Sequence, residues 1–144
     1  MEYATGEYIG FVDSDDYVDI TMFEKLYQTH QENDVNFVVC ARWNEHSSGE
    51  KDSLGPREDG ILDLTTYKFP NARLGIEAPS GIVQKLYNRE WLMSLEVWFP
   101  ENIAYEDNFW GNIVNYYTQK VGLIKEPLYF YRNNEESTTQ TKIA

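Results

Sequence analysis

The stretch Gly6-Glu7-Tyr8-Ile9-Gly10-Phe11-Val12-Asp13-Ser14-Asp15-Asp16 constrains this chain more than any other, because a short apolar run of β type ends abruptly in three carboxylates. Side chains alternate faces along a strand, so Asp13 and Asp15 are expected to point the same way from the strand's C-terminal end, where open α/β sheets bind ligands. Like charges that close repel one another. Keeping them ionised together calls for a cation, and clustered carboxylate oxygens suit hard divalent ions such as Mg²⁺ or Mn²⁺.

The segments that follow read in β-α-β order. Asp19 to His30 places Phe23, Leu26, Tyr27 and His30 at helical spacing, with Asp19 as the cap. His30 falls on the apolar face and reads as a packed histidine rather than a metal ligand. Asn36 to Cys40 reads as a buried strand. Asn44 to Gly60 is polar and rich in Ser, Gly, Asp and Glu, a loop or irregular hairpin in which His46 has no spaced partner and is expected in solvent. A helix is expected over about Leu64 to Leu74, interrupted by Pro70. Ile82 to Trp91 starts as a strand and continues as a helix capped at Asn88. Glu106 to Tyr117 is a stronger helix, with Trp110, Ile113, Val114 and Tyr117 on one apolar face. Two short strands, Val121 to Ile124 and Leu128 to Arg132, are expected to close the domain.

Composition decides which ligands are reasonable. The chain has 144 residues, of which 42% are hydrophobic, enough for one domain with a real core. Twenty-four acidic residues against twelve basic ones give a net charge of −12, which argues against nucleic acid. An anionic phosphate ligand would need a metal to bridge it to these carboxylates. Cys40 is the only cysteine, so an intramolecular disulfide and a cysteine zinc site are both excluded, and it reads as a small buried hydrophobe. No run approaches membrane-spanning length, and the N-terminus lacks the basic-then-apolar layout of a signal peptide.

A calcium loop is the rival reading of the aspartates. Asp13, Asp15, Asp19 and Glu24 fall at positions one, three, seven and twelve of an EF-hand loop, with Ile20 at the apolar eighth. Val18 stands where the sharp turn demands glycine, and a strand rather than a helix precedes the loop, so the reading fails. Two more groups carry candidate chemistry. In Ala104-Tyr105-Glu106-Asp107-Asn108 an acidic pair opens a helix, which favourable interaction with the helix dipole would explain by itself. Leu128-Tyr129-Phe130-Tyr131-Arg132-Asn133-Asn134-Glu135-Glu136-Ser137 is an aromatic strand running into an Arg and a polar tail. Taken alone it is core packing with a solvated end.

In this order the three groups, together with Lys85-Leu86-Tyr87-Asn88-Arg89, resemble the C-terminal half of a family 2 glycosyltransferase of the GT-A fold, bacterial polysaccharide type. The resemblance covers nearly the whole chain, most weakly from Asn44 to Pro79. It implies an α/β fold over residues 1–144, a single domain in which a partial GT-A mixed sheet is flanked by helices. By the resemblance, Asp13 and Asp15 form an Asp-x-Asp site for Mn²⁺ or Mg²⁺, with Asp15 the direct ligand and Asp13 nearer the donor's ribose or metal-bound water. Asp16 would help shape the sugar pocket or support the metal's ligands from behind, and Asp107 would be the general base that deprotonates the acceptor hydroxyl. Arg132 would approach the donor diphosphate and Lys85 would line the pocket, although each is equally readable as a surface or fold-supporting cation.

The same resemblance implies a UDP-sugar donor, a glycan or lipid-linked acceptor, and a cytoplasmic location, peripheral at the inner face of the cell membrane. The family's nucleotide-binding features, a Pro-x-Tyr-Asn pattern and an Ala-Arg-Asn-x-Gly segment, are not found before Glu7. The expectation is therefore half an active site, an inactive isolated chain, and an exposed sheet edge through which a homodimer could form. The alternative is a non-catalytic glycan-binding or partner-binding module on the same scaffold, reading sugars through its aromatic faces.

Overall fold

Phe37 to Ala41 have no polar side chain and are buried on both sides, which places their strand in the middle of the molecule. The computed structural model describes residues 1, 3–67, 74, 75, 77, 78 and 81–133. Their order is β1 (Tyr8–Gly10), β2 (Tyr17–Val18), α1 (Met22–Glu32), β3 (Phe37–Glu45), β4 (Lys51–Leu54), β5 (Gly60–Asp63), a 3₁₀ turn (Leu64–Thr66), β6 (Lys85–Asn88), α2 (Arg89–Ser94), α3 (Glu106–Tyr117) and β7 (Lys120–Arg132).

The strands form one mixed sheet in the order β1-β6-β3-β7-β2, with β4 beside β3 and β5 beside β7. β3 and β7 run parallel as the long central pair, and the other pairings are antiparallel. Alternate residues of β3 serve opposite faces. Phe37 and Val39 join Leu62, Tyr87, Leu92, Trp110, Val114 and Val121 under α2 and α3. Val38 and Cys40 join Met22, Leu26, Leu86 and Leu128 under α1. The result is a three-layer α/β arrangement.

α1 forms as expected, but its buried row is Met22, Leu26 and His30, a strict i, i+4 stripe, while Phe23 and Tyr27 are exposed. The helix lies close to β7, because a Cβ on Gly122 would come within 2.9 Å of Thr29 Cγ2 and 3.0 Å of Val38 Cγ2. Asp19 shapes the approach to the helix rather than capping it. Its Oδ1 accepts from Thr21 N–H at 2.8 Å and from the Thr21 hydroxyl at 2.7 Å, and its carbonyl accepts from Met22 N–H. His30 is packed, as read: Nε2 donates to the Leu86 carbonyl at 2.8 Å, and burial lowers its pKa. Cys40 is buried too, and burial pushes its thiol up to about 12.

Other elements differ from expectation. The two closing strands are one strand, β7, in which β3 pairs Cys40 with Ile124 and then Ala41 with Pro127. Lys125 and Glu126 bulge out, and the chain returns to the same partner, so a charged pair followed by proline mimicked a strand end. On α3, Tyr117 is exposed and Asn115 takes the buried place, its amide directed at the Ala78 carbonyl. The polar segment after Asn44 is a hairpin, with β4 on β3, and it gives His46 a partner from across the turn. The His46 Nε2 meets Asp52, while Nδ1 accepts from Asn133 Nδ2 at 3.1 Å. Asn88 caps α2 as expected, accepting from Trp91 N–H at 2.9 Å. Of the helix expected from Leu64 to Leu74, a 3₁₀ turn over Leu64–Thr66 is present, whereas residues 68–73 and Ser137 lie outside the described residues.

Candidate functional site

The acidic cluster does not sit on the strand. β1 ends at Gly10, and residues 13–16 form a turn closed by Asp16 N–H donating to the Asp13 carbonyl at 3.2 Å. Turn geometry, not strand alternation, therefore sets where these carboxylates go, which corrects the expectation from the sequence. The turn is fastened to the far end of β7. The Tyr129 hydroxyl accepts from Asp13 N–H at 3.2 Å and donates to Asp16 Oδ2 at 2.6 Å. Arg132 N–H donates to Asp16 Oδ1 at 2.9 Å, and Arg132 Nη1 reaches the Asp15 carbonyl at 3.4 Å.

Asp107 reaches the same place from another direction. It lies in the first turn of α3, where helix-end amides favour a carboxylate, behind an N-cap residue, Tyr105, at φ +61°. Left-handed backbone costs a non-glycine residue about 1 kcal/mol, and such strain persists only where packing over-determines it. The packing here is aromatic. Trp110 is fully buried, stacks on Phe99 at 4.7 Å, meets Phe11 and Tyr87 edge-on at 5.9 Å, and donates from Nε1 to the Val97 carbonyl at 3.0 Å. Phe11 stands two residues before Asp13, so one cluster draws the acidic turn and the start of α3 together. The charge on Asp107 acts on Asp13, whose pKa is raised first by burial, then by Asp16, Asp15 and Asp107, with Arg42 opposing.

Arg42 is the residue that sequence reading missed. It is half-buried on β3, its guanidinium 4.8 Å from the centre of the Tyr131 ring, and Asp16 is among the charges that act on it. Its register opposite Tyr129 puts a fixed cation beneath the acidic turn. By its local pattern Tyr129 is core packing. A buried tyrosine still needs a partner for its hydroxyl, and that was the available signal.

Lys85 is brought near Arg42 but has no solvent-accessible surface, and its ammonium is 5.3 Å from the centre of the Phe37 ring. That burial favours the fold-supporting alternative for this cation. Burial, and secondly Arg42, pull its pKa down from 10.5 to about 7. Between those values the unfolded chain holds a proton that the folded chain has shed, so folding stability rises with pH. Urea unfolding from pH 7 to about 9.5 should show the wild type gaining on the order of 1 kcal/mol per pH unit over Lys85→Met. Parallel profiles for the two proteins would contradict this account.

Among the described residues no three Asp, Glu, His or Cys side chains converge as a ready-made metal cage. The donor set still fits a small hard cation, because Mg²⁺-type sites commonly use one or two carboxylates and complete their shell with water and substrate phosphates. No hydrogen bond or ion pair among the described residues reaches the carboxylate oxygens of Asp13 or Asp15, so both pairs of oxygens are open to a ligand.

A mixed sheet with an acidic turn after one strand, set against an acidic helix start, is the architecture of the GT-A glycosyltransferases. The chain belongs to glycosyl transferase family 2, whose family profile matches residues 1–95. It is 29% identical over 144 residues to the uncharacterized glycosyltransferase EpsJ of Bacillus subtilis (strain 168), covering 97% of this chain and 42% of that protein. It is 28% identical over 154 residues to the glycosyltransferase GlyG of Streptococcus pneumoniae serotype 4, covering 99% and 49% respectively. The fold matches S. aureus TarS 1–349 in complex with UDP-GlcNAc with a TM-score of 0.73 at 17% identity, covering 99% of this chain and 39% of that one. The chain thus spans less than half the length of the curated relatives it matches.

Proposed function

We propose that these residues form the metal and acceptor side of an inverting glycosyltransferase that moves a sugar from a nucleotide-diphosphate donor to a hydroxyl of a glycan or lipid-linked acceptor. The observation that carries the reading is the packing of Phe11, Phe99 and Trp110, which draws the start of α3 toward the Asp13 to Asp16 turn so that the charge of Asp107 bears on Asp13. Asp107 accepts the proton of the acceptor hydroxyl, whose oxygen attacks the anomeric carbon as the bond to the diphosphate breaks. Attack from the face opposite the leaving group inverts that carbon. Asp13 and Asp15 would hold Mn²⁺ or Mg²⁺, which when bound would supply positive charge against the diphosphate. Arg132 extends that charge from the end of β7, and Asp16 supports the pocket. The UDP and UDP-GlcNAc complexes of TarS support a UDP-sugar as donor.

No helix among the described residues is long and apolar enough to cross a membrane. We place the protein at the cytoplasmic face, where sugar nucleotides are made, and assign the open edge of β1 to pairing with another strand, including that of a second copy. Because the relatives extend well beyond the matched region, the 144 residues are expected to turn over donor weakly by themselves.

The test has two parts. Calorimetry on this chain should show UDP-sugar binding that requires Mn²⁺, whereas glycan binding indifferent to metal would instead support a non-catalytic carbohydrate module. In a fusion that supplies a relative's preceding nucleotide-binding half, Asp107→Asn should lower the transfer rate about 10²- to 10⁴-fold and leave metal-dependent donor binding intact. Robust transfer by that variant would rule out Asp107 as the base.

A further inference from the structure

Three aspartates crowd the turn after β1, yet the structure treats them differently. Asp16 has both carboxylate oxygens engaged by β7, one by the Tyr129 hydroxyl at 2.6 Å and the other by Arg132 N–H at 2.9 Å. The Tyr129 hydroxyl also accepts from Asp13 N–H at 3.2 Å. One phenol therefore bridges the first and last residues of the turn. Asp13 and Asp15 keep open carboxylates.

The bridge is built on rigid parts. The Tyr129 residue has no solvent-accessible surface, and it pairs with Val18 on one side and Arg42 on the other. Its neighbour Phe130 stacks on Tyr17 at 4.5 Å, which closes the loop of residues 13–17 from the opposite end. Without such a fastening, mutual repulsion among Asp13, Asp15 and Asp16 would open the turn.

We propose that Tyr129 and Asp16 are a positioning pair: a hydroxyl–carboxylate clasp that holds the turn closed and presents Asp13 and Asp15, while Asp16 touches neither metal nor donor. The inference rests on the metal-site reading above, and it assigns the third aspartate a different task from the other two. The two hydrogen bonds fix the Asp16 carboxylate against β7, which leaves it less free to follow a ligand than the open carboxylates of Asp13 and Asp15.

The experiment is a double-mutant cycle on this chain with Tyr129→Phe, Asp16→Ala and the combination, read by Mn²⁺ affinity and by amide hydrogen exchange at Asp13. Tyr129→Phe keeps the ring and its packing and removes only the hydroxyl. Each single variant should weaken Mn²⁺ binding and Asp13 amide protection by about tenfold, and the double variant should be no worse than either. Multiplying effects, or an Asp16→Ala loss far exceeding that of Tyr129→Phe, would show Asp16 acting directly on the ligand and overturn the clasp. Unchanged Asp13 exchange in Tyr129→Phe would overturn it as well. If the wild type binds no Mn²⁺, the metal reading falls, and the exchange cycle alone decides the clasp.

Discussion

Replacing Trp110 with alanine should remove about 3–5 kcal/mol of folding stability, the largest loss expected of any single substitution in this chain. The indole is fully buried and fills the space between Phe99, Phe11 and Tyr87, so truncation leaves a cavity that three aromatic rings on different elements cannot jointly collapse into. A domain's whole stability is about 5–15 kcal/mol, so the variant should sit near its unfolding midpoint in mild urea. Trp110→Phe keeps the stacking surface but loses the hydrogen bond to Val97, and should cost about 1 kcal/mol beyond its smaller volume. Circular dichroism during urea unfolding measures both. A loss below about 1 kcal/mol for the alanine variant would mean that the aromatic cluster is not what fixes α3.

The second large effect belongs to the acidic turn. Asp15→Asn should weaken Mn²⁺ binding on the order of 100-fold, because a neutral amide cannot replace an anionic oxygen ligand of a hard cation. Metal-free stability should move the other way or stay level, since the substitution removes one of several like charges crowded around Asp13. That opposition separates a ligand from a structural residue, which would lower both. Calorimetric titration together with thermal unfolding in chelator reads the two quantities. Unaltered Mn²⁺ affinity would exclude Asp15 as the direct ligand.

Trp110 and Asp15 also show how far local sequence carries. The helix that contains Trp110 was legible to its end residues, because apolar side chains recur at its period and an acidic pair marks its start. Which ring Trp110 would stack against was not legible. Phe99 comes from the preceding loop and Phe11 from the residue after β1, and neither local pattern names the other. The acidic turn was legible as a cluster, but its conformation was mistaken for a strand end. The apolar residues Phe11 and Val12 continue the β pattern although pairing with β6 stops at Gly10. Likewise, Lys125-Glu126-Pro127 read as a boundary because nothing in a linear sequence shows a chain bulging and rejoining the same partner.

What the sequence determined by itself is the set of local elements with strong periodicity and the charged residues placed at their ends, because backbone preference and burial face are properties of a short window. The tertiary structure alone decided which of those ends meet. The parallel register of β7 on β3, carried past two successive irregularities that skip Lys125, Glu126 and Leu128, is what brings Tyr129 opposite Arg42 and under the Asp13 to Asp16 turn. The same sheet encloses Lys85, a residue that looks on paper like any pocket-lining cation. Register and packing between distant segments depend on the summed fit of two faces, and no single segment contains that information.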